Sequence, residues 1–284
     1  MSTITPTTSS TRPTGVQGRI AFETDTKNII VYDGADWRGY ASDGVSGWSG
    51  SNTYSLNFDG TDDRLDAGSV VTPSANSGTI SAWIKTTSTA YQAIVSTADT
   101  SGISTWGWMA VFNNKLRITF RESDGTIKTA DGSTAINDGN WHHVVAVSSG
   151  TAYSLYVDGS AETLTNSNND GTWFGDLTSL TSTNIGSHVR SSAGNFFSGN
   201  IDEVAVWDSA LNSSQITNIY KGESNGGSGG TNGTPSNLLS FNPKAWWRMG
   251  DGAEANSGTI IYDMSTFSNN MTMVSSPAYQ SDTP

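Results

Sequence analysis

The sequence has 284 residues, of which 31 are Gly, none is Cys and only 14% are charged. Lys and Arg number 14 against 26 Asp and Glu, giving a net charge of −12 at pH 7. This excludes disulfides and thiolate metal sites and argues against nucleic acid as a partner, while it permits cation binding.

Residues 1–15, "MSTITPTTSSTRPTG", form a Thr/Ser/Pro arm without the apolar core of a signal peptide. The chain is therefore expected to be made in the cytoplasm and to leave a cell only by a route such as lysis. No stretch is long and apolar enough to insert in a membrane. Alone the arm buries too little surface to offset its ordering entropy, so a partner chain is expected to hold it. Residues 16–45 follow. Ile20 and Phe22 alternate, and Ile29, Val31 and Trp37 flank the turn residues "YDG". The pattern predicts a small β-unit, which is marginal alone and expected to dock or oligomerise.

From 51 to 221 the pattern is all-β. "SLNFDGTDDRLDAG", Ser55 to Gly68, reads as a strand and turn carrying a dense set of acids. "TISAWIKT" places Ile80, Ala82 and Ile84 on one face. "KLRITFRE" turns Leu116, Ile118 and Phe120 inward and Arg117, Thr119 and Arg121 outward. "NWHHVVAV" groups Trp141, His143, Val145 and Val147, and "AYSLYVDGS" groups Tyr153, Leu155 and Val157 before an Asp158-Gly159 hairpin turn. "GNIDEVAVWDSAL" is a further strand. A helix follows: Asn212 or Ser213 caps it, Ile216, Ile219 and Tyr220 form its stripe, and Gly222 ends it. Many short strands with turns between them predict an antiparallel sandwich. Residues 222–237 read as a Gly/Ser-rich linker. Residues 238–284 are apolar enough to pack as a β-tail on the sandwich or on a neighbour.

Residue chemistry narrows the candidates. Asp202, Glu203 and Asp208 in "IDEVAVWD" are the nearest approach to paired catalytic carboxylates. Neighbours on a strand point to opposite faces, so Asp202 and Glu203 are not expected to act as a retaining pair. His142, His143 and His188 form no triad or metal spacing. His142 and His143 alternate, one packed and one exposed. Sugar binding needs exposed aromatics beside polar loops. Trp173 and Phe174, in a long polar loop, lead that set, with Trp106, Trp108, Phe196, Phe197 and Arg190 as further candidates. Trp83, Trp141 and Trp207 read as core. Trp246 and Trp247 are adjacent, one facing in and one out.

"SLNFDGTDDRLDAG", "TISAWIKT", "NWHHVVAV", "SLYVDG" and "GNIDEVAVWDSALNSSQI" together resemble, in this order, the laminin-G-like domain of the concanavalin A-like lectin/glucanase superfamily. The resemblance implies an all-β antiparallel jelly-roll sandwich. In the tail, "AWWRMGDG…IYDMSTFSNN" is similar to the opening segment of such domains, displaced to the C-terminus as a partial repeat or permuted supplement. Related sandwiches often hold one Ca²⁺. The acids Asp59, Asp62, Asp63 and Asp202 are the candidate ligands here, the other reading being turn chemistry in which these acids tie their own loop.

Residues 12–40, "RPTGVQGRIAFETDTKNIIVYDGADWRGY", resemble a short module near the start of tailed-phage fibre, capsid-decoration and other appendage proteins. That resemblance implies a virion structural protein, a head fibre or capsid decoration ahead of a tail appendage, with the small β-unit and its extended arm as anchor. Arg12, Pro13, Ile20, Phe22, Tyr32 and Trp37 are the candidate anchoring residues. The implied partners are other virion proteins, further copies of the chain in an oligomer, with a trimer favoured, and cell-surface glycans. The alternatives are a glycoside-processing enzyme and a free carbohydrate-binding lectin.

Overall fold

The computed structural model describes residues 5–7, 20–23, 28–32, 37–41, 52–71, 75–101, 104–165, 168–251 and 258–284. The chain divides into two units, Met1–Ser51 and Asn52–Pro284. In the first, β1 (Thr5–Thr7), β2 (Ile20–Glu23), β3 (Asn28–Tyr32) and β4 (Trp37–Ala41) make one sheet in that order. β1 joins β2 in parallel; the other pairings are antiparallel. Of the candidate anchoring residues, Ile20 and Phe22 lie on β2, and Tyr32 pairs with Trp37 across β3 and β4. Arg12 and Pro13 lie outside the described residues.

The second unit runs β5 (Ser55–Asp59), β6 (Arg64–Asp66), β7 (Gly78–Lys85), β8 (Gln92–Ala98), β9 (Trp106–Phe112), β10 (Lys115–Arg121) and β11 (Ile127–Ala135). It continues through β12 (Trp141–Ser148), β13 (Tyr153–Val157), β14 (Ser160–Ala161), β15 (Ser182–Ile185), β16 (His188–Val189), β17 (Ala193–Gly194) and β18 (Ser198–Trp207). Helix α1 (Ser213–Tyr220) precedes β19 (Ala245–Trp247), β20 (Ile260–Ile261), β21 (Met271–Val274) and β22 (Ala278–Gln280). The first large sheet is ordered β11-β10-β9-β8-β15-β6-β21-β20. The second is ordered β14-β13-β12-β7-β18-β5-β22, with β19 also paired to β18. Every pairing in the two sheets is antiparallel, as the predicted jelly-roll sandwich requires.

Alternation builds the core. Leu116, Ile118 and Phe120 of β10 are fully buried and meet Ile80, Ala82 and Ile84 of β7 in one cluster. Asn113 and Asn114, both with positive φ, close the β9–β10 hairpin, and Asp158-Gly159 does the same for β13–β14. His143, Val145 and Val147 do share a face, but it is the outer one; Val144 and Ala146 are the core residues of β12. Helix α1 covers part of that outer face. Asn212 caps it in a reciprocal box with Gln215, and Tyr220 stacks on Trp83 at 5.7 Å.

Residues 238–284 complete both sheets. β5 pairs with only the first half of β18, Ser198–Ile201, and β19 covers Val204–Val206 on the same strand. β21 pairs with β6, and β22 with β5. Asp263 fastens the segment: its carboxylate accepts from the backbone N–H of Trp246, Ser265 and Asn269.

Two histidines are buried neutral. Neither ring nitrogen of His143 meets a partner among the described residues, and burial pushes its pKa down to about 4. His188 lies 4.2 Å from Trp108 and 5.1 Å from Trp106 between ring centroids; burial first, then Arg190, lowers it to about 3. A depressed folded pKa means the unfolded chain takes up the proton first. Their stabilising effect is therefore complete above the unfolded value of about 6.5 and is lost as pH falls toward 4 and 3. Between pH 7 and 4.5 the two histidines together should remove about 3 kcal/mol or more, and His188→Phe should gain on wild type in urea midpoint as pH falls across this range. A difference between the two proteins that stays constant with pH would contradict it.

Candidate functional site

One row of side chains crosses the outer face of the second sheet. Asn57 on β5 pairs in register with Asn200 on β18, Asn200 with Lys85 on β7, and Lys85 with Trp141 on β12. Cross-strand partners share a face, so two amides, an ammonium and an indole line up. Asn57 Nδ2 donates to Asn200 Oδ1 at 2.7 Å, and Asn200 Nδ2 to Ser55 Oγ at 3.2 Å. Asn57, Asn200 and Lys85 floor a cleft of about 410 Å³, walled by Asp59, Thr86, Ser198 and Gly199, with Trp141 next in the row beyond Lys85. Gly199 is required there: its φ is +137°, and a Cβ would lie 2.2 Å from the Lys85 carbonyl oxygen. A second cleft of about 490 Å³ shares Asn57 and Asp59 and adds Asp62, Asp63 and Ser276.

The acids of the opening strand and turn gather at that shared wall. Asp59, Asp62 and Asp63 each bring a carboxylate oxygen within 4.8 Å of the others. Asp63 Oδ2 accepts from the N–H of Asp59, and its Oδ1 from the N–H of Ser276 in the C-terminal segment. Asp59 Oδ1 accepts from the N–H of Thr61 and Asp62, and the Thr61 bond in particular lowers its pKa. The donor set fits calcium in kind, since all ligands are oxygen. Asp59 and Asp62 are the exposed members, while Asp63 is buried and committed to the backbone.

Asp202 is not part of this group. Asp59 pairs with Ser198, and Asp202 lies four residues further along β18, roughly 13 Å away at strand rise. Asp202 is wholly buried; it accepts from Asn52 Nδ2 at 2.9 Å and from the N–H of Glu203. A register shift between Asp202 and Ala205, with Glu203 at φ +48°, breaks the alternation expected of neighbouring residues. Glu203 thus joins Asp202 in the interior, where Arg248 Nε donates to it at 3.0 Å and Trp246 Nε1 donates to its other oxygen. Burial pushes both carboxyls up, and the charge of Glu203 raises Asp202 further. Both acids are closed off from solvent, and Glu203 is tied to an arginine. Asp208 is exposed and pairs with Lys244.

The aromatic candidates are mostly structural. Trp173 is fully buried and Phe174 nearly so; both pack against Phe120 between the sheets. The polar residues around them fold back, with Asp176 accepting from the N–H of Trp173. Trp106 and Trp108 lie on the outer face of the first sheet, closed over by His188, and Arg190 beside them is half-buried. Phe197 is buried against Phe58, and Phe196 is half-buried. Trp141, expected in the core, is instead half-exposed at the start of β12. The row from Asn57 to Trp141 escaped the sequence reading because no motif joins it. Only strand register brings it together.

A family model and one solved structure agree with this architecture. The family model described as the concanavalin A-like lectin/glucanases superfamily, Laminin_G_3, matches residues 59–217. No curated protein sequence matches the chain. Among solved structures, a candidate carbohydrate binding protein from Bacteroides ovatus is 18% identical, covering 93% of this chain and 70% of its own, with a TM-score of 0.53. The CBM40 of the Ruminococcus gnavus IT-sialidase, bound to alpha2,3 sialyllactose, is 20% identical over 60% of this chain and 99% of its own, at 0.49. A SAP-like pentraxin from Limulus polyphemus is 21% identical over 59% and 82%, at 0.47. At 18% identity the Bacteroides ovatus structure speaks to the fold alone. With the family model spanning more than half of its length, the chain belongs to the concanavalin A-like lectin/glucanases superfamily.

Proposed function

We propose that the chain is a structural adhesion protein of a tailed-phage virion, anchored through residues 1–45 and binding cell-surface glycans with its sandwich. The glycan half rests on the cleft floored by Asn57, Asn200 and Lys85. Its lining of amide, hydroxyl, carboxylate and ammonium groups matches what sugar hydroxyls donate and accept, and the half-exposed Trp141 ends the row. Membership of a superfamily that includes lectins supports the same reading. The virion half rests on the resemblance of residues 12–40 to appendage modules. A trimer or other oligomer on a particle would turn weak sugar contacts into avidity. A Ca²⁺ held by Asp59 and Asp62 would supply a fixed positive charge at the wall the two clefts share.

The test has two arms. On a glycan array, Asn57→Ala should weaken binding about tenfold, since it removes one sugar contact and frees the Asn200 side chain from the bond that orients it, while Asn200 keeps its bond to Ser55 and the sandwich stays folded. Deleting residues 1–45 should abolish incorporation into particles and leave the sandwich folded. Array binding unaffected by Asn57→Ala, or normal incorporation of the truncated chain, would sink the corresponding half.

A further inference from the structure

The donors of Lys85 and Trp141 converge on one carboxylate. Lys85 Nζ lies 2.7 Å from Asp282 Oδ2, and Trp141 Nε1 donates to Asp282 Oδ1 at 3.1 Å. One charged and one neutral donor, each on its own oxygen, form a carboxylate receptor. Burial opposes ionisation of Asp282, but the bonds from Lys85 and Trp141 hold its pKa below the usual range. Asp282 arrives just after β22, its backbone carbonyl held by Ser55 Oγ and the next residue's Thr283 Oγ1 held by the Asn52 carbonyl. Lys85 is at once part of this receptor and the one cation among the residues lining the Asn57–Asn200 cleft. Asp59, the cleft's carboxylate, stands on β5, with β18 between it and Lys85.

We propose that the cleft takes a carboxylate-bearing sugar, its carboxylate held by Lys85 and Trp141, and that Asp282 fills this subsite until the sugar displaces it. The inference rests on the glycan reading of the cleft and names its ligand class. Displacement is feasible because the Lys85–Asp282 pair is partly solvated, with side chains 33% and 47% exposed. Such a pair is worth about 1 kcal/mol or less. The tethered carboxylate acts as a competitor at an effective concentration in roughly the millimolar range.

The experiment follows the indole N–H resonance of Trp141, assigned by its loss in Trp141→Phe, in ¹⁵N-labelled full-length protein. Wild type and Asp282→Ala are each titrated with methyl glucuronoside and with methyl glucoside. In Asp282→Ala the resonance should shift at a glucuronoside concentration about two- to fivefold lower than in wild type, as expected on removing a weak tethered competitor. The glucoside should leave it in place at those concentrations, and Lys85→Ala should erase the preference for the acid. Equal responses of wild type and Asp282→Ala, or equal responses to the two sugars, overturn the inference. If the amide resonances of Asn57 and Asn200 still shift with either sugar, the glycan reading survives that failure. If no resonance moves with either sugar, both fall.

Discussion

Deleting residues 238–284 leaves a chain with no cooperative unfolding transition, whereas deleting residues 1–45 leaves the melting of the sandwich nearly unchanged. The first expectation follows from what the C-terminal segment carries into the core. Trp246, Trp247, Met249, Ile261 and Met271 are all buried to within 1% of full burial. At about 1.5–3 kcal/mol for each large apolar side chain, they contribute on the order of 10 kcal/mol, the size of a whole domain's net stability. The loss is compounded at the sheet edges. Without β19, β21 and β22, the second half of β18 and one edge each of β6 and β5 lose their backbone partners. The second expectation follows from the division of the chain at Ser51, which leaves the core cluster wholly within the later unit. Circular dichroism melts of the two truncations decide it. A sharp transition in the chain ending at residue 237 would show that the C-terminal segment is an accessory.

The sandwich was legible in the sequence wherever alternation is strict. β10 shows why: Leu116, Ile118 and Phe120 face one core, and no other assignment buries them. The acid loop was half legible. Asp59, Asp62 and Asp63 are close in sequence, so a single turn gathers them, whereas adding Asp202 required a distance along β18 that only register supplies. The fate of Trp173 was not legible, because it is set by Phe120 on a strand distant in sequence. A polar loop can look exposed and still fold its large aromatics inward, as Trp173 and Phe174 do against Phe120. The cleft was least legible of all. Asn57, Lys85, Trp141 and Asn200 are unremarkable residues in four separate strands, and they become a site only once three registers are fixed together. Nor does anything local announce a bulge at Asp202 and Glu203, since a glutamate at positive φ is disfavoured and is held there by its buried partners.

Those buried partners give the second large effect. Arg248→Met should destabilise the sandwich by about 3–5 kcal/mol at pH 8, the cost of leaving one side of a buried ion pair uncompensated. Arg248 and Glu203 are each about 2% exposed, so water cannot replace the missing partner. Asp202 sharpens the penalty, because its charge and that of Glu203 then face each other with no cation beside them. The pH dependence separates this cause from simple loss of packing. Both carboxyls already have folded pKa values raised above their ordinary ones, chiefly by burial, and removing Arg248 raises Glu203 further. An acid whose folded pKa is raised binds its proton more tightly in the folded state. Stability therefore increases as pH falls through the folded value and levels off near the unfolded value of about 4. The deficit of Arg248→Met relative to wild type should shrink steadily from pH 8 to pH 5, and taking the difference cancels the histidine titration common to both proteins. Asp202→Asn should act in the opposite direction, gaining about 1 kcal/mol at pH 8 by removing a buried charge. Its amide can also donate to Asn52 Oδ1, which has no partner among the described residues, once the Asn52 amide flips. Urea midpoints of the three proteins across this range carry the test. A deficit that stays constant with pH would mean that Arg248 contributes its packing over Trp246, where its guanidinium lies 5.6 Å from the ring centroid, rather than its charge.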